Sequence, residues 1–189
     1  MTTFLLSWVV AAGVGLGANG AAASNSAAAS NIVTCECDTA KPVTMEARSC
    51  GLCREAEKQP AGTAVFLLRD INPTKPNRWL ALPRTHEHGL ASMSAAARTE
   101  LWTAAVEKGK ELYGSEWALA INGPKVVTQC HTHIHIGKLL QGVETDQFVV
   151  VKSLAEIPAP AGLGLWVHPQ GNLFHVHTGE QITETVLLR

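Results

Sequence analysis

Charge is missing from the start of this 189-residue chain: no Asp, Glu, Lys or Arg precedes Glu36. A surplus of either sign is missing from the rest, where 15 Lys+Arg meet 16 Asp+Glu for a net charge of -1. That balance gives no basic surface for nucleic acid, and no nucleic-acid partner is expected. The apolar run Phe4 to Gly17 falls short of the ~20 residues that a membrane-crossing helix needs. Lys and Arg are absent from Met1-Thr2-Thr3, no Cys sits in a lipobox-like setting, and there is no internal repeat. No stable membrane anchor is expected.

What does fill the beginning is the apolar run followed by an Ala/Ser/Asn stretch, Asn19 to Asn31, that contains Ala-Ala-Ala-Ser twice. This resembles a secretory signal with a small-residue cleavage region, so an exported protein, periplasmic or secreted, is expected. Removing about 30 residues leaves roughly 155–160, the size of one domain. The expected organisation is a signal peptide or apolar leader over 1–30, a linker over 31–49, a domain over 50–156 and a C-terminal β-hairpin appendage over 157–189.

The five Cys are an odd number for an oxidising compartment, so they cannot all pair within one chain. Cys35 and Cys37 lie close together, Cys50 and Cys53 form a Cys-x-x-Cys, and Cys130 stands alone. Alternation along its strand makes Cys130 a small buried residue.

Thr63 to Asp70 is rich in β-branched and aromatic residues and is broken by Asn72-Pro73, which predicts a strand and a loop. Arg78 to Leu82 predicts a second strand, stopped by Pro83. Leu101, Trp102, Ala105, Val106, Leu112 and Tyr113 recur at helical spacing between Ser94, a natural N-cap, and Gly114. Further strands are predicted over 116–121, 126–136, 147–151, 165–168, 173–177 and 183–188, with a Pro-rich connector over 157–162. Strands outnumber the helical crossovers that parallel pairing requires. The expected fold is therefore α+β: an antiparallel sheet of about five strands, one long helix and a short one, plus a small C-terminal β appendage.

The main chemical signal is Gln129-Cys130-His131-Thr132-His133-Ile134-His135-Ile136-Gly137. On a strand, His131, His133 and His135 share one face with Cβ atoms ~7 Å apart. Three readings compete: a metal site from all three, a nucleophilic His with supporting neighbours, or a cluster on a solvated face. Three ligands from one strand strain a tetrahedral geometry, so at least one His has a different role.

Here the sequence resembles the histidine-triad superfamily, whose hallmark is His-φ-His-φ-His-φ-φ on a strand, with φ hydrophobic. His131 to Lys138 match it apart from the polar Thr132 and Gly137. The resemblance extends to Asp70-Ile71-Asn72-Pro73, to the segment Asn77 to His86 with its Pro83-Arg84-Thr85-His86 ending, and to Asn122-Gly123, covering roughly residues 50–152. It implies a histidine-triad-like fold and a nucleotide hydrolase or nucleotidyl transferase in which His133 attacks the α-phosphorus of a nucleoside phosphate or pyrophosphate. His135 would orient the transferred group or hydrogen-bond near it. Asn72, Arg78, Asn122 and Gln129 would contact substrate, with turn capping as the other reading of Asn122 and Gln129. Arg78 stands where many members carry a His, and is either a phosphate clamp or a solvated strand-end charge. Members are often dimers, so a homodimer is an expected partnership.

A subset of the superfamily binds structural zinc, and the resemblance transfers the ligands to Cys50, Cys53, His86 and His131. An oxidised Cys50–Cys53 pair, or a crossed disulfide with Cys35, Cys37 or Cys130, competes with it. Thr128-Gln129 is also similar to the arrangement in the CDP-diacylglycerol pyrophosphatase branch, although that branch replaces the first His and this chain keeps His131. Rival functions are a non-catalytic nucleotide- or metal-binding protein and an extracytoplasmic thiol-redox protein using Cys50 and Cys53. His175 to Glu180 resembles a metal-binding cupin motif, but the spacing is short and a cupin barrel needs far more chain. His168, His175 and His177 are otherwise a hairpin closing over the pocket, or surface residues.

Overall fold

The structure is a computed structural model that describes residues 35–189. The signal-like segment 1–30 and the first residues of the linker lie outside the described residues. Among the described residues no helix is long and apolar enough to cross a membrane.

Two short helices, α1 (Pro42–Met45) and α2 (Gly51–Glu57), precede strands β1 (Val65–Arg69) and β2 (Trp79–Pro83). Helix α3 (Ala95–Tyr113) leads to β3 (Trp117–Ile121), β4 (Ile134–Lys138), β5 (Val149–Val151), β6 (Leu165–Gln170) and β7 (Leu173–Thr178). The strands form one antiparallel sheet in the order β1-β2-β4-β3-β6-β7-β5. The α+β class with an antiparallel sheet is as expected, but the sheet has seven strands rather than about five. The C-terminal hairpin is no appendage: β6 pairs with β3 through Leu119↔Val167, Ala120↔Trp166 and Ile121↔Leu165, which makes it continuous with the sheet.

Helix α3 starts where the Ser94 side chain accepts from the Ala97 N–H at 3.2 Å, and ends at Gly114. Its buried residues, Leu101, Trp102, Ala105 and Val106, pack on one face of the sheet against Leu119, Ile134, Ile136, Leu165, Val167 and Val176. Gly109 lets the helix approach β3, since a Cβ there would lie 3.0 Å from the Cβ of Trp117. Trp102 is fully buried, and truncating such a side chain costs about 3–5 kcal/mol. The β6–β7 hairpin closes through the two-residue turn Gly171-Asn172, with Gly171 at φ +61°, a conformation that twists correctly into such hairpins.

The opposite face is covered by the C-terminal tail, where Val186 and Leu187 pack on Ala118, Ala120 and Trp166. The expected strand over 183–188 is instead a 3-10 turn, Glu184–Val186, followed by one bridge, Leu139↔Leu187. Arg78 accounts for the difference. The residue is 1 % exposed, and its guanidinium donates to the carbonyls of Glu184 (2.8 Å), Leu187 (2.6 Å) and Leu188 (3.2 Å) and to Glu184 Oε2 (2.8 Å). These bonds fix the tail in its turned path, the Glu184 carbonyl also accepting from the Leu187 N–H at 3.2 Å.

Removing Arg78 strips three tail carbonyls of their donor and leaves Glu184 with Lys75 as its remaining cationic partner. Arg78→Ala is therefore expected to lower unfolding stability by about 3–5 kcal/mol in urea titrations and to expose residues 184–189 to limited proteolysis. Wild-type stability with a protected tail would refute this account.

Candidate functional site

The three triad histidines do not all lie on a strand. β4 begins at Ile134, so only His135 is in the ladder, opposite Leu80 on β2 and Ala120 on β3. Upstream, other partners claim the backbone. Thr132 donates its N–H (3.1 Å) and its hydroxyl (2.6 Å) to the Glu87 carbonyl, and its hydroxyl accepts from the Gly89 N–H at 2.6 Å. The Cys130 N–H donates to the Ser49 carbonyl at 2.8 Å.

The imidazoles nevertheless converge. His133 and His135 meet edge to face with ring centroids 4.8 Å apart, and His131 meets His86 at 5.3 Å. His133 Nδ1 lies 2.8 Å from the His131 carbonyl. A carbonyl only accepts, so Nδ1 carries the proton and the neutral ring keeps its lone pair on Nε2. Burial lowers the His133 pKa below the ordinary imidazole value, which favours that neutral form. His135 is buried and held well below the ordinary value, first by burial and then by His133, Lys75 and Arg78. Its Nδ1 lies 3.7 Å from Glu184 Oε2.

His133 and His131 line a cavity of about 520 Å³ whose wall includes Leu90, Val127, Leu163 and Leu165. The Pro-rich connector contributes Pro160 to Leu163. Asn122 and Gln129 also line it, but both are tied into the fold. Asn122 Oδ1 accepts from the N–H groups of Thr183 (2.9 Å) and Glu184 (3.1 Å). Gln129 accepts from the Leu52 N–H at 3.1 Å and donates to the Arg48 carbonyl at 3.0 Å. Asn72 is exposed, accepts from Thr74 in the β1–β2 loop, and is not among the lining residues. Arg78, fully engaged by the tail, is neither a phosphate clamp nor a solvated charge.

Of the four transferred metal ligands, three come together. Cys53, His86 and His131 place their donor atoms within 4.8 Å of one another in a cluster that could hold a metal ion. His131 Nε2 donates to the Pro83 carbonyl at 2.7 Å, and its Nδ1 is buried with no hydrogen-bond partner among the described residues. Burial pushes the His131 pKa down to about 4, so Nδ1 carries a lone pair near neutral pH. His86 Nε2 sits 2.7 Å from Glu57 Oε1. Cys53 is a buried free thiol, its pKa raised by burial. Cys50 departs from the expected set because it pairs with Cys37, at a Cα–Cα distance of 5.7 Å. Cys130 pairs with Cys35 at 5.4 Å, so it is a cross-link rather than a plain small residue. Cys50 and Cys53 are not paired to each other, so the structure does not contain the disulfide that the rival thiol-redox reading uses.

Glu184 and Glu57 were not legible in the sequence, since nothing local marks a carboxylate that meets a histidine far along the chain. Thr132 left a signal: a polar residue where the triad pattern asks for a hydrophobic one. Protein unfolded without reductant is expected to show one reactive thiol per chain, Cys53, against five after reduction. Three or more thiols before reduction would contradict the pairing. No family model matches the chain, and no curated protein matches it. Among solved structures it shares a fold with a DUF4931 family protein from Bacillus cereus ATCC 10987, at 11% identity and a TM-score of 0.50, over 66% of this chain and 85% of that one.

Proposed function

We propose that this chain is an exported enzyme of histidine-triad type, a nucleotide hydrolase or nucleotidyl transferase acting at the α-phosphate of a nucleoside phosphate or pyrophosphate. The observation that carries the reading is the fixed tautomer of His133, whose Nδ1–H is spent on the His131 carbonyl while the ring lines the cavity. A neutral imidazole with a free Nε2 is a competent nucleophile near pH 7. Attack by Nε2 forms a P–N bond and breaks the P–O bond to the leaving group, which departs with the electron pair. Water or another acceptor then attacks phosphorus, the P–N bond breaks, its proton passes to solvent, and neutral His133 returns. His135, packed edge to face against His133, fixes the orientation of that ring. The apolar wall of Leu90, Val127, Leu163 and Leu165 suits a nucleobase. Two disulfides within the chain support export.

Cys53, His86 and His131 would hold a structural zinc, a donor set of one thiolate and two imidazoles that matches its preferences. The orphaned Nδ1 of His131 and the carbonyl behind its Nε2 are what a metal-ligating imidazole presents. Zinc there would pin the loop carrying His133 to α2 and β2. Closed structural sites use four ligands; Cys50, three residues before Cys53, is held by Cys37 and could serve as the fourth only where an added thiol reductant opens that disulfide.

One observation favours a second reading, a non-catalytic protein that holds a nucleotide or metal: no Lys or Arg is among the cavity-lining residues. His133→Ala separates the two. Loss of turnover by about 10³-fold or more, with nucleotide binding retained in calorimetry, supports catalysis. A parent protein inert toward nucleoside pyrophosphates and phosphoramidates supports the second reading. In reduced protein about one zinc per chain is expected, lost in Cys53→Ser; undiminished zinc in that variant would remove the site.

A further inference from the structure

A second donor cluster lies on the β6–β7 hairpin, away from the triad. His168 on β6 and His175 on β7 are direct cross-strand partners, so both imidazoles rise from the same face of the sheet. Their rings stand at 76° with centroids 5.2 Å apart. Glu144, from the segment between β4 and β5, reaches over them: its Oε1 lies 2.7 Å from His175 Nδ1 and 3.2 Å from His168 Nε2. The three donor atoms all fall within 4.8 Å of one another.

An ordinary Glu–His hydrogen bond accounts for His175 but not for His168. The His168 residue is 3 % exposed, and its Nε2 is buried and, although 3.2 Å from Glu144 Oε1, is not aligned for a hydrogen bond to it. A buried ring nitrogen without a partner is destabilising, and a cation between the three donors removes that cost. The aromatic surroundings hold the rings in place. Phe148 stacks on His175 at 3.9 Å, and His177, with both ring nitrogens unpartnered, stacks on Trp166 at 3.6 Å.

We propose that Glu144, His168 and His175 form a binding site for a divalent first-row transition-metal ion, distinct from the Cys53–His86–His131 cluster. Two imidazoles and a carboxylate suit zinc, cobalt, nickel or iron(II), whereas magnesium and calcium prefer all-oxygen shells and copper(I) prefers thiolate. The Glu144 side chain is 42% exposed, so solvent completes the coordination.

The test uses the full chain with Cys53→Ser, which removes thiolate ligation at the other cluster, stripped of metal and titrated with Co²⁺ alone. Binding of one Co²⁺ with visible ligand-field bands and no thiolate-to-cobalt charge-transfer band is expected. Adding Glu144→Gln, an exposed and near-isosteric change, should weaken that binding at least tenfold, and adding His175→Ala as well should abolish it, with unchanged far-ultraviolet circular dichroism. No Co²⁺ binding in the Cys53→Ser protein, or equal binding after both further changes, would overturn the proposal. Neither readout depends on nucleotide turnover, so failure of the triad reading would leave this one standing.

Discussion

The buried guanidinium of Arg78 organises the side of the sheet that α3 leaves open. Its donors end on one carboxylate and three carbonyls, all supplied by the tail beyond residue 183. A charge removed from water is tolerated only with its hydrogen bonds filled, which makes the tail a required partner rather than a loose end. Because the tail is fixed, Val186 and Leu187 shield Ala118, Ala120 and Trp166, and Glu184 reaches both His135 and Lys75. The same tail hydrogen-bonds Asn122 at the cavity wall.

Strand alternation then divides labour between the two faces. Leu119, Ile134, Ile136, Leu165 and Val167 turn toward α3 and build the apolar core. Their neighbours on the same strands turn the other way, which puts His135 at the centre of the sheet and His168, His175 and His177 toward the β5 side. Every strand histidine therefore shares the face that the helix does not cover. The triad end is enclosed by the tail and the loops before β4, the hairpin end by the segment carrying Glu144 and Phe148.

Short-range signals were legible in the sequence and long-range ones were not. Ser94 and Gly114 bounded α3 because capping is decided within one turn. The alternation of Leu165 to His168 and Leu173 to His177 marked both hairpin strands, but their attachment to β3 depends on pairing across more than 40 residues and looked like an appendage. The convergence of Cys53, His86 and His131 was legible through the family resemblance, since each sits in a recognisable motif. The loss of Cys50 to Cys37 was not, because pairing among five cysteines is settled by the path of the chain. Arg78 was misread for a related reason: its acceptors are backbone carbonyls, and any residue type supplies those.

The register of the β6–β7 hairpin carries a consequence for the length of its turn. His168 faces His175 only because two residues, Gly171 and Asn172, make the turn. A residue added there must be absorbed within the turn as a three-residue loop, because passing it into β7 would move His175 and His177 to the face under α3 and displace Val176 from the core. The turn is thus the one point on the hairpin whose length decides which face carries the histidines.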